Sequence, residues 1–137
     1  MKMQLNLLLL FLVLFTVRTF GQKSTLTVAV NDLRNSDGFV LIQLVDKDEL
    51  PIQQKKVTII DGQIEIRFTN VPAGKYAISY FHDENKNSEL DTGTMGIPKE
   101  GYGFSNDARG FMGPPGLKDQ IFDLSSDTSM TLKTKYW

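Results

Sequence analysis

The sequence predicts an all-β protein, a seven-stranded antiparallel β-sandwich with one long Gly- and aromatic-rich loop capping an end. Three observations carry this: apolar residues recur with period two in short segments, turn-forming residues separate those segments, and helical periodicity is nearly absent. A closed barrel is the alternative that the same pattern permits.

The elements follow in order. In Thr25–Val30, Leu26, Val28 and Val30 fall on one face of a half-buried strand, and Asn31–Asp37 supplies Asn, Asp and Ser for a turn. Phe39–Val45 is apolar except for Gln43 and reads as a central strand covered on both faces. Asp46–Leu50 ends it, with room for one helical turn before Pro51. Val57–Ile60 and Gln63–Thr69 flank Asp61-Gly62, a two-residue hairpin signal, because both turn positions need positive φ. The return strand places Ile64, Ile66 and Phe68 together, opposite Glu65 and Arg67.

Val71-Pro72-Ala73-Gly74 reads as the next turn, and Lys75–His82 sets Tyr76, Ile78, Tyr80 and His82 on one side of a strand. Gln120–Leu124 and Ser129–Tyr136 close the set, Met130 and Leu132 facing together. Between His82 and Gln120 lies Asp83–Asp119, too long for a hairpin connection, since structureless loops beyond about 12–15 residues are uncommon in compact domains. Its Met95, Ile97, Tyr102, Phe104, Phe111, Met112 and Leu117 are too apolar for a flexible linker, so an ordered cap is expected.

The first 21 residues stand outside this pattern. Lys2 precedes an apolar run from Leu5 to Phe15 broken only by Asn6, and small or polar Thr16, Thr19 and Gly21 follow: a cleavable signal peptide, the run being short for a spanning helix. An uncleaved anchor is the competing reading, and lipid attachment through an N-terminal Cys is excluded because the chain has no Cys. The expected product is a secreted or periplasmic single domain of residues 22–137, without a transmembrane helix.

Of the 137 residues 41% are hydrophobic, enough for one core. Removing the leader leaves 13 basic against 16 acidic residues, a formal charge of −3. That balance offers no phosphate-neutralising footprint, so nucleic acid is excluded as the main partner. Without Cys there is neither a disulfide nor a thiolate zinc site, and the single His argues against a His-rich metal centre. Nucleophile elbow, metalloprotease helix and phosphate-loop motifs are all missing from the sequence.

The pattern closest to a site is His82-Asp83-Glu84-Asn85-Lys86-Asn87-Ser88-Glu89-Leu90-Asp91. Asp83, Asn85, Asn87 and Asp91 occupy relative positions 1, 3, 5 and 9, with the main-chain carbonyl of Glu89 at position 7. Oxygens on alternate residues of a curved loop can converge on calcium, which takes six to eight such ligands. Ser88 stands where an EF-hand has Gly and Thr94 where it has a bidentate Glu, so any affinity belongs to the weak extracellular range. The competing reading is an Asx-rich turn that bonds its own amides.

Glu84 and Glu100 are further candidate ligands. His82 reads as a hydrogen-bonded structural residue; the enzyme alternative is a small hydrolase using it with Asp83 or Glu100. Tyr102, Phe104 and Phe111 form either a plug for the sandwich or a stacking platform for a carbohydrate or peptide. The expected function is an exported non-catalytic binding or scaffolding module with its Asp83–Asp91 loop ordered by calcium and a small molecule, glycan or protein as partner. The alternative is a carbohydrate- or peptide-binding module using aromatic residues of the 92–117 loop.

Several motifs together carry a resemblance: Val71-Pro72-Ala73-Gly74-Lys75-Tyr76-Ala77-Ile78, the His82–Asn87 run, Leu90-Asp91, Gly96–Asn106 and Gly113-Pro114-Pro115. In this order they resemble the exported bacterial domain-of-unknown-function family 2141 (DUF2141). The resemblance implies a secreted sandwich related in style to prealbumin-like and collagen-adhesin modules with no established activity; the fold class expected is an immunoglobulin- or prealbumin-like sandwich. It also marks Gly101–Asn106 as a signature without saying which role it plays; Glu100, Tyr102, Phe104, Ser105 and Asn106 are candidate ligand-binding residues. Family members commonly carry Gly in place of Ser88, which weakens the calcium reading.

Overall fold

The computed structural model describes residues 21–137, so the expected signal peptide lies outside the described residues except for Gly21. Among the described residues no helix is long and apolar enough to cross a membrane. The described residues form eight strands: β1 (Lys23–Asn31), β2 (Phe39–Asp46), β3 (Pro51–Thr58), β4 (Ile64–Pro72), β5 (Gly74–Asp83), β6 (Tyr102–Phe104), β7 (Phe122–Leu124) and β8 (Thr128–Lys133). They make a three-stranded sheet, β4-β1-β8, and a five-stranded sheet, β3-β2-β5-β6, with β7 sharing the β6 side of β5.

Alternation places the core between the two sheets. Leu26, Val28, Val30 and Phe68 from one sheet meet Val40, Ile42, Leu44, Ile78 and Tyr80 from the other, and all are buried. Truncating a wholly buried phenylalanine such as Phe68 costs about 3–5 kcal/mol. The count of eight strands exceeds the expected seven because β6 forms inside the long insertion. β1 and β8 are parallel, so the expectation of a purely antiparallel sandwich is corrected. The first two strands also lie in different sheets, unlike the immunoglobulin arrangement, in which they are neighbours.

The Asp61-Gly62 turn forms as expected, with φ of 52° and 70° and paired bonds of 3.1 Å between Ile60 and Gln63. The hairpin does not extend beyond it. Two turn residues fix only that one pair, and the flanking strands follow their apolar faces: Ile64, Ile66 and Phe68 align with Val30, Val28 and Leu26 of β1, while β3 pairs with β2. Proline at the start of β3 is tolerated because β3 is an edge strand.

β2 is central but is not buried on both faces. Val40, Ile42 and Leu44 enter the core, whereas Leu41, Gln43 and Val45 on the outer face are only half covered. The insertion is ordered, with short 3-10 turns at Thr94–Gly96 and Ser105–Asp107, strand β6, and a single helical turn α1 (Leu117–Gln120). β6 sits flush on β5 because a Cβ at Gly103 would overlap the Tyr80 ring. Reciprocal backbone bonds between Tyr102 and Lys135, 3.0 and 2.9 Å, cover the outer edge of β6.

Candidate functional site

The His82–Asp91 segment begins where β5 leaves its sheet. Asp83 is wholly buried, and its two carboxylate oxygens accept the amides of Asn87 at 3.0 Å and Ser88 at 2.9 Å. Glu100, 5% exposed, holds the other side, accepting the amides of Glu84 at 2.9 Å and Asp91 at 3.1 Å. Two carboxylates therefore neutralise four backbone donors, and such charge-assisted bonds are the stronger kind. Asn85 and Asn87 accept amides two residues on, in the manner of Asx turns. Ser88 has φ of 65°, in the region that favours Gly.

Side chains do converge at the turn's surface: Asn85 and Asn87 both donate to Asp91, the latter at 3.0 Å. The proposed ligands Asn85, Asn87 and Asp91 are thus brought together, whereas Asp83 and Glu100 face backbone amides. Glu89 donates its amide to Asn87 and stays at the exposed rim. Among the described residues no group of three or more His, Asp and Glu side chains is placed to hold a metal ion.

Glu84 leaves this cluster for an ion pair with Arg34 at 2.6 Å and a bond from Asn35 at 3.1 Å. Burial pushes its carboxyl up, but the Arg34 and Asn35 bonds together with the charges of Arg34 and His82 outweigh that and leave it below the usual carboxylate range. His82 is fully buried: its Nδ1 meets the Tyr136 hydroxyl at 2.8 Å and its Nε2 meets the Asp37 carbonyl at 2.7 Å. With the carbonyl able only to accept, Nε2 carries a proton. Both ring nitrogens are engaged in joining the 32–37 turn to the C-terminal segment, a structural role.

Ser105 and Asn106 also serve the scaffold. The buried Ser105 hydroxyl accepts the Ile78 amide at 2.9 Å and donates to the Gln120 carbonyl at 2.5 Å. The Asn106 amide group donates to the carbonyls of Asp119 and Ile121. They clamp the insertion to β5 and α1.

Tyr102 and Phe104 point elsewhere. Alternation about the buried Gly103 puts both rings on the outer face of the five-stranded sheet, half exposed and edge to face at 6.0 Å, so they do not plug the sandwich. There the register aligns two rows, Lys56–Leu41–Phe81–Tyr102 and Gln54–Gln43–Ser79–Phe104. In the second row Gln54 donates to Gln43 at 3.2 Å and Gln43 to Ser79 at 2.9 Å, a polar ladder beside an apolar one. These rows floor a groove of about 530 Å³. It continues past Leu90, Tyr102 and Phe104 into a second hollow of about 490 Å³ edged by Met95, Phe111 and Trp137.

Sequence reading missed Leu41, Gln43, Gln54, Ser79 and Phe81 as groove residues. A signal was present: Gln43, the one polar residue of the β2 run, marks a face left open to water.

Together these features define a two-sheet β domain with an open groove on one outer face. The chain belongs to the family described as an uncharacterized protein conserved in bacteria, DUF2141, whose model matches residues 28–132. No curated protein and no solved structure matches it significantly.

Proposed function

We propose that the chain is an exported, non-catalytic sandwich module, prealbumin-like in style, that binds a carbohydrate or peptide chain on the outer face of its five-stranded sheet. The observation that carries this reading is the groove floored by Leu41, Phe81, Tyr102 and Phe104 beside the Gln54–Gln43–Ser79 ladder. Aromatic faces suit sugar rings or apolar side chains, and amide and hydroxyl groups both donate and accept, as hydroxyl-rich or backbone-bearing ligands require. The apolar leader supports export.

Glycan and peptide arrays probed with the wild-type chain and with Tyr102→Ala and Phe104→Ala test the reading. The expected result is a bound class whose affinity falls at least tenfold in both variants, the loss of about 1.4 kcal/mol that a truncated aromatic anchor brings. Equal binding by all three proteins overturns it.

A second reading, calcium at Asp83, Asn85, Asn87, the Glu89 carbonyl and Asp91, is favoured by the convergence of Asn85 and Asn87 on Asp91. The amide bonds already held by Asp83, Asn85 and Asn87 oppose it, since the ion would have to displace them. Millimolar calcium raises the melting temperature if this reading holds, because a ligand bound only by the folded state stabilises it. An unchanged melting temperature removes the ion from the account.

A further inference from the structure

The most exposed apolar side chains are gathered on the insertion and its neighbour, the C-terminus. Phe111 is 94% exposed, Met112 and Met95 86% each, and Trp137 71%. All four border the second hollow. Met95 and Met112 have φ of 62° and 56°, left-handed positions where Gly or Asn is the undemanding choice. Neither Met is buried, so packing does not account for an apolar side chain at a strained turn tip.

Charge distinguishes this region from the rest. Segments 92–119 and 134–137 carry Lys99, Arg109, Lys118 and Lys135 against Asp107, Asp119 and the buried Glu100, a more basic balance than that of the whole domain, whose expected mature form is net acidic. Arg109 precedes Phe111 by two residues, and the Lys135 ammonium lies 4.0 Å over the Trp137 ring. Of the acidic turn, only Leu90 reaches the hollow.

Protruding apolar tips flanked by cations and an indole match an interface with apolar depth and a negative surface. We propose that the Met95 and Phe111-Met112 tips, with Trp137 beside them, dock the protein on an anionic phospholipid surface. The tips enter the headgroup layer while Arg109, Lys99 and Lys135 meet lipid phosphates. This docking leaves the Gln54–Gln43–Ser79 end of the groove free, while Leu90, Tyr102 and Phe104 border both hollows.

Trp137 is the single tryptophan and therefore a built-in reporter. The mature chain is titrated with vesicles of equimolar phosphatidylglycerol and phosphatidylcholine, and separately with phosphatidylcholine alone. A blue shift of Trp137 emission and co-sedimentation with the anionic vesicles are expected, with binding at least tenfold weaker to neutral vesicles and at high salt. The double variant Phe111→Ser, Met112→Ser and the charge variant Arg109→Glu should each lose binding at least tenfold with unchanged far-ultraviolet circular dichroism. No shift with either vesicle, equal binding to both, or undiminished binding by the double variant overturns the proposal. A dimer that the double variant dissolves, in a chain that binds no vesicle, assigns the patch to a second copy and overturns it as well.

Discussion

The acidic turn and the outer-face groove, joined through Leu90, are built on opposite terms. In the turn, Asp83 and Glu100 satisfy four backbone amides, and Asn85 and Asn87 bond both to Asp91 and to the chain around them. In the groove, Leu41, Phe81, Tyr102 and Phe104 remain partly open to solvent beside the half-covered Gln43 and the exposed Gln54. Residue types that look chemical can thus be consumed by the fold, while a face of ordinary types is left available. Hydrogen-bond partners, more than residue identity, separate scaffold from recognition surface.

If the turn is scaffold, its carboxylates matter for stability above all. Asp83→Ala orphans two amides served by a buried charge and should lower unfolding free energy by about 2–4 kcal/mol in urea denaturation. Loss below about 0.5 kcal/mol would mean that the turn does not need its anchor. Gly103→Ala strikes the groove side instead: its Cβ runs into Tyr80 and should lift β6, costing about 1–3 kcal/mol and weakening ligand binding.

The Glu84–Arg34 pair gives the turn region a smaller, pH-dependent contribution. Because the folded carboxyl sits lower than its unfolded value, its stabilisation is present above the unfolded value, about 4.3, and disappears as pH falls through the folded one. Glu84→Gln should therefore destabilise by under about 1 kcal/mol at pH 7, the partly exposed pair being screened, and flatten the thermal profile at acid pH. The smallest effect is expected at Ser88→Gly. Relief of a left-handed residue is opposed by about 0.4–1 kcal/mol of unfolded-chain entropy, leaving a gain of roughly 0.5 kcal/mol by thermal melting.

Period-two alternation made β1, β4 and β5 legible, because each turns a mainly apolar series to the core: Leu26, Val28 and Val30; Ile64, Ile66 and Phe68; Tyr76, Ile78 and Tyr80. It could not assign partners. Asp61-Gly62 specified a turn, yet the matching of Ile64, Ile66 and Phe68 with β1 sent the strands into different sheets. β6 was invisible because Tyr102-Gly103-Phe104 is three residues long and forms only where β5 offers an edge and Tyr80 a surface for glycine.

The Asp83–Asp91 spacing was legible as a turn and as a candidate ion loop alike. Only the partners of Asp83 distinguish the two, and those amides follow from backbone geometry rather than from spacing. The groove was partly legible through Tyr102 and Phe104. Its other half depended on register across β3, β2 and β5, which residue order does not display.

Amide chemical-shift mapping against the sugar or peptide selected by the arrays tests the central assignment most directly. The account predicts perturbations at Leu41, Gln43, Ser79, Phe81, Tyr102 and Phe104, with Asp83–Asp91 unmoved except near Leu90. Perturbations confined to Asp83–Asp91 and Glu100, with the sheet face silent, would contradict it.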